Sequence, residues 1–189
     1  MKKLIISIFA SLLLFSCHKE EIEEPITNSI FMLDSEWENQ NGEKLKLASL
    51  QGKTLVMVMI YTSCRTACPR LTGDMRRIDM EVGNKYDKET RYVLVSIDPK
   101  TDTVEKMKQY LIDNEMTGEQ WLFLRSDEKN TKELANVLAM KYKQISPIDF
   151  SHSNIISVFS KQGVLTYQKE GLEIDITSVA QEIKNQQNK

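Results

Sequence analysis

Glycine is scarce in this chain of 189 residues, seven in all, and nowhere do the glycines gather into a loop that would cradle phosphate. Charge of one sign is lacking too: 25 Lys and Arg stand against 27 Asp and Glu, a formal net charge of -2, with no basic stripe and no aromatic-basic platform. These absences argue against nucleotide and nucleic-acid partners. There is no internal repeat, and no low-complexity run apart from one short acidic stretch. Cysteine is limited to positions 17, 64 and 68 and histidine to 18 and 152. Any chemistry of thiol or imidazole must come from these five residues.

The N-terminus carries Lys2 and Lys3, then an apolar run from Leu4 to Phe15 broken only by small residues. Such a segment reads as a signal peptide and is too short for an ordinary membrane-spanning helix. Its end, Leu14-Phe15-Ser16-Cys17, resembles a bacterial lipobox. That likeness implies cleavage after residue 16, lipidation of Cys17, and a mature chain anchored by acyl chains outside the cytoplasm, on the periplasmic side or at an outer membrane. Residues 17–29, with Glu20, Glu21, Glu23, Glu24 and Pro25, are polar and without periodicity and read as a flexible acidic tether. His18 lies in that tail, where a lone histidine is ordinarily solvated. Residues 30–189 are the size of one domain with room for a proper core.

The domain is organised around one junction. Leu55 to Ile60 is a continuous apolar run of strand length, read as a strand buried on both faces. Pro69 suits the first turn of a helix, and Leu71, Met75, Ile78 and Val82 share one helical face. Cys64 then falls in the intervening loop and Cys68 at or just before the helix start, where the helix N-terminus favours thiolate over thiol. Three uses of such a pair remain open on spacing alone: reversible disulfide exchange, binding of a thiophilic metal such as Cu(I), or an inert structural role. Met57 and Met59 sit within the buried strand and read as core.

Around this junction the pattern predicts an N-terminal β-hairpin turning at Asn41-Gly42 and a second buried strand over 92–97. A helix capped by Asp102 or Thr103 follows, with Val104, Met107 and Leu111 inward, then a short strand at 121–124. Another helix is expected from about Thr131, with Leu134, Val137 and Leu138 inward. Next come a hairpin of 155–159 with 164–167 and a last helix marked by Ile176, Ala180 and Ile183. The βαβ rhythm followed by a hairpin and a helix is the thioredoxin order, so the expected class is α/β, a central mixed sheet flanked by helices.

Gln51-Gly52-Lys53, Tyr61-Thr62-Ser63-Cys64, Cys68-Pro69, the run Val95-Ser96-Ile97-Asp98-Pro99-Lys100-Thr101-Asp102-Thr103 and Ser151-His152-Ser153 together resemble the Sco (SenC) copper chaperones of cytochrome oxidase assembly. The resemblance extends from about Phe31 to Gly171. It implies copper, as Cu(I) or Cu(II), bound by Cys64, Cys68 and His152, with His152 on a loop facing the cysteine helix. Its implied partner is the copper-site subunit of a respiratory oxidase or another thiol or copper protein. Asp98 receives no ligand role. The chain departs from the usual pattern in carrying Arg65-Thr66-Ala67 between the cysteines and Ser151 before the histidine, which removes negative charge where family members often have it. That departure keeps a rival open, in which Cys64 and Cys68 act as a redox-active pair without metal.

Overall fold

The computed structural model describes residues 27–146 and 149–187. The leader, Cys17 and most of the acidic tether lie outside the described residues. Ser29 caps a 3-10 turn at Ile30–Met32 through its hydroxyl and donates to the Gln162 carbonyl at 2.6 Å, seating the start of the domain against its last hairpin.

Strands β1 (Glu36–Asn39) and β2 (Lys44–Lys46) form the expected hairpin. The Asn39 side chain organises its turn by accepting from the Asn41 and Glu43 amides, and Gly42 takes the positive φ of 78° that the turn needs. β3 (Thr54–Ile60) is buried at every position, as a central strand with covered faces must be. α1 (Ala67–Val82) follows, burying Cys68, Leu71, Met75, Ile78 and Val82 along one side. β4 (Thr90–Ser96), α2 (Val104–Asp113), β5 (Trp121–Arg125) and α3 (Glu128–Val137) complete two further strand-helix units.

The chain then forms β6 (Tyr142–Ser146) and β7 (Asp149–His152), a two-stranded ribbon, before β8 (Ile155–Phe159), β9 (Leu165–Glu170) and α4 (Ile176–Gln187). The main sheet runs β2-β1-β5-β4-β3-β8-β9, with β3, β4 and β5 parallel and the outer pairs antiparallel. This is the mixed sheet and helix arrangement of a thioredoxin-like domain. α4 packs on α1 and on β3, β8 and β9, while α2 packs on β5.

The structure decides one alternative left open by the sequence and differs from its expectation in three details. α2 is capped by Thr103, whose hydroxyl accepts from the Lys106 amide, leaving Asp102 turned into the interior. α3 begins at Glu128 with Asp127 as its cap, so Thr131 is a buried residue of the helix and not its start. Its inward stripe is Thr131, Leu134, Ala135 and Leu138, and Val137, facing away from that stripe, is 46% exposed. His152 closes a strand, where a loop was expected.

Candidate metal centre

The site is built where β3 ends against β4. Asp102 is fully buried, and its carboxylate accepts from the Thr62 amide at 3.1 Å, from the Thr62 hydroxyl and from the Ser96 hydroxyl. Burial pushes the Asp102 pKa up and the bonds from Ser96 and Thr62 oppose that. The carboxylate fixes Thr62, and with it the loop to Cys64, against the end of the neighbouring strand. Spacing gave no hint of this, because an Asp beside a Thr before a helix also looks like a cap.

From that fixed point the chain turns once, the Cys64 amide bonding the Tyr61 carbonyl at 3.2 Å, and enters α1 at Ala67. The Cys68 amide, one of the free donors of the helix N-terminus, points at Cys64 Sγ from 3.4 Å, and the Thr66 hydroxyl lies 3.8 Å from the same sulfur. Both cysteines are unbridged and buried. On the other side of the pair, His152 Nε2 stands 3.6 Å from Cys68 Sγ. His152 Nδ1 lies 3.1 Å from the Ser153 carbonyl, which can only accept. Nδ1 is therefore the nitrogen placed to donate to that carbonyl, and Nε2 is the one turned toward the sulfur.

The two thiols are driven apart in acidity. Burial raises the pKa of each. For Cys64 the Cys68 thiol, the Cys68 and Thr66 amides and the His152 ring outweigh burial and bring the pKa down to about 6. For Cys68 burial and the facing Cys64 thiolate act together and hold it well above the ordinary thiol range. Arg65 is exposed, and the groups that lower Cys64 are those of Cys68, Thr66 and His152.

Cys64 Sγ, Cys68 Sγ and the nearest His152 nitrogen lie within 4.8 Å of one another. Two sulfurs and one imidazole at that separation surround a space suited to a single ion, and they are soft and borderline donors of the kind that satisfy Cu(I) and, with the nitrogen, Cu(II). The donor set fits copper. A groove lined by Tyr142, Lys143, Ser151, His152 and Asn154 opens beside the histidine. Asp98 is buried at the carboxyl end of the β4 region outside this cluster, and Met57 and Met59 are core residues, 0% and 2% exposed.

A thioredoxin-like domain with a cysteine pair at a helix start and a histidine brought to it from a later strand defines a class of thiol proteins able to hold a soft metal. Within that class the family is given by comparison. The SCO1/SenC family model matches residues 24–188, and the chain belongs to that family. A SCO1 protein homolog of Bacillus subtilis is 26% identical over 113 residues, 60% of this chain. The match spans 57% of that relative, so the chain covers little more than half of its length. A SCO1/SenC family lipoprotein of Bacillus anthracis superposes with a TM-score of 0.74 at 17% identity, covering 84% of this chain and 96% of its own. ScoI of Arabidopsis thaliana, solved with copper bound, gives 0.71 at 16% identity, covering 82% and 96%. At such identities the likeness shows the fold.

The split between the thiols makes a direct prediction for the metal-free, reduced protein. Alkylation with iodoacetamide is expected at Cys64 first, its rate rising with pH through a midpoint of about 6 and falling away below it as the thiolate takes up a proton. Cys68 is expected to stay unmodified at neutral pH. Rates followed by mass spectrometry across pH check this, and equal reactivity of the two thiols would contradict it.

Proposed function

We propose that this protein is a lipid-anchored copper-binding metallochaperone that serves the copper site of a respiratory cytochrome oxidase. The observation that carries the reading is the convergence of Cys64, Cys68 and His152 within 4.8 Å, three donors from three separate elements and suited to copper. Sco proteins are described as cytochrome c oxidase assembly proteins, which supports an oxidase subunit or a related thiol or copper protein as client. Cys64 and Cys68 hold Cu(I), and His152 adds the nitrogen that Cu(II) favours. The groove beside His152 is where a client ligand would approach. The basic, apolar leader ending at Cys17, and the lipoprotein nature of the Bacillus anthracis relative, support an anchor in the cell envelope outside the cytoplasm. Among the described residues no helix is long and apolar enough to cross a membrane.

A second reading is favoured by the unequal thiols. In a thiol-disulfide oxidoreductase the Cys64 thiolate attacks a substrate disulfide, forming a mixed disulfide and expelling one substrate thiol. Cys68 then gives up its proton, attacks Cys64 Sγ and releases the second thiol, leaving a Cys64-Cys68 disulfide for an external dithiol to reduce.

Competition titration with a Cu(I) chelator separates the two. The reduced protein is expected to take up about one Cu(I), and Cys64→Ser or Cys68→Ser to lose that uptake. His152→Ala is expected to keep most Cu(I) affinity while Cu(II) binding weakens strongly. Uptake by the double cysteine variant equal to wild type would remove the copper reading, and insulin reduction without any copper binding would put the redox reading in its place. Anchoring is checked by Cys17→Ser, expected to abolish lipid labelling and move the mature chain to the soluble fraction. A wild-type protein without lipid would contradict the anchor.

A further inference from the structure

Among the described residues, His152 reaches the cysteines from a two-stranded ribbon separate from the seven-stranded sheet. A two-stranded ribbon is marginally stable by itself, so the position of β7 must be fixed from outside it. Tyr61 supplies such a hold. Its hydroxyl donates to the Asp149 carboxylate and accepts from the Phe150 amide at 3.3 Å. Its ring meets Phe150 edge-on at 5.2 Å between centroids and His152 edge-on at 5.9 Å. Tyr61 is itself only 1% exposed, directly follows β3 and receives the Cys64 amide on its carbonyl. One residue thus touches both arms of the site: its backbone shapes the cysteine loop and its side chain grips the histidine strand.

We propose that Tyr61 is the positioning residue of the centre, its hydroxyl latching β7 through Asp149 and Phe150 so that the His152 imidazole stands against Cys68. A phenol donating to a carboxylate is a charge-assisted bond, stronger than a neutral one. Phenylalanine at the same position would keep the ring contacts and lose both hydrogen bonds to the ribbon, together with the hydroxyl's interaction with Cys64. The Phe150 amide would keep its bond to the Asp149 carboxylate, 2.9 Å away. Loss of the hydroxyl therefore frees the strand without opening a cavity, and the cysteine pair keeps its place through Asp102 and the start of α1.

The metal side of the proposal rests on the copper reading above, whereas the latch belongs to the metal-free chain, and the test reads both. In the metal-free reduced protein, Tyr61→Phe and Asp149→Ala are each expected to speed amide exchange at residues 149–153 about tenfold, with α1 amides unchanged. Loaded with Cu(II), Tyr61→Phe is expected to bind about tenfold more weakly, with nitrogen hyperfine coupling reduced or heterogeneous, while Cu(I) affinity changes by less than about threefold. In a His152→Ala background the Tyr61→Phe substitution is expected to have no further effect on Cu(II). Wild-type exchange rates in both variants would overturn the latch whether or not the protein binds copper. A Cu(II) loss of the same size in the His152→Ala background would overturn the claim that Tyr61 acts through His152. A wild-type protein that takes up no copper defeats the metal reading alone, and the exchange rates still decide the latch.

Discussion

Asp102 is a carboxylate with no exposure to solvent, held among the described residues by the amide and hydroxyl of Thr62 and the hydroxyl of Ser96. Removing a carboxylate from water is costly unless such donors are all in place. The loop after β3 therefore cannot drift from the end of β4 without leaving buried charge unpaired. Everything in the site is placed from that constraint: Tyr61 and Cys64 lie on either side of Thr62, and α1 starts within a turn of it. The strands β3 and β4, parallel in register from Thr54 with Thr90 to Ile60 with Ser96, carry the two halves of the clamp.

With the loop fixed, the chemistry follows from two different environments for one element. Cys64 receives amide hydrogens from the start of α1, while Cys68, inside the helix and fully buried, faces a thiolate. One sulfur is kept charged and the other protonated, which suits both a nucleophile with its resolving partner and a ligand pair that yields one proton as a cation enters. The third arm distinguishes these uses. Disulfide exchange needs only the dithiol, whereas His152 is brought in from a distant ribbon with Nδ1 placed to donate to Ser153 and Nε2 turned toward Cys68. A histidine oriented by a carbonyl on one nitrogen and aimed at sulfur with the other is arranged as a ligand is.

How much of this was legible in the sequence depends on which force set each element. Leu55 to Ile60 could be read because a strand covered on both faces is apolar throughout, and the helix of Cys68 because its buried residues recur at helical spacing. The ribbon of β6 and β7 could not, since Lys143, Gln144 and Ser151 give it no alternation and its hold comes from Tyr61, distant in sequence. Asp102 and Thr103 stand side by side before the helix as equal cap candidates, and only tertiary bonding tells them apart. His152 entered through the family resemblance of Ser151-His152-Ser153. No periodicity marks a single loop or strand histidine as a ligand.

The central claim is that Cys64, Cys68 and His152 together form one metal centre. Copper-edge X-ray absorption of the protein loaded with one equivalent tests it most directly. The account predicts a first shell of two sulfurs for Cu(I), and for Cu(II) two sulfurs with added scattering from one imidazole that vanishes in His152→Ala. A shell of oxygen and nitrogen alone, or a sulfur shell that survives replacement of both cysteines of the pair, would contradict it.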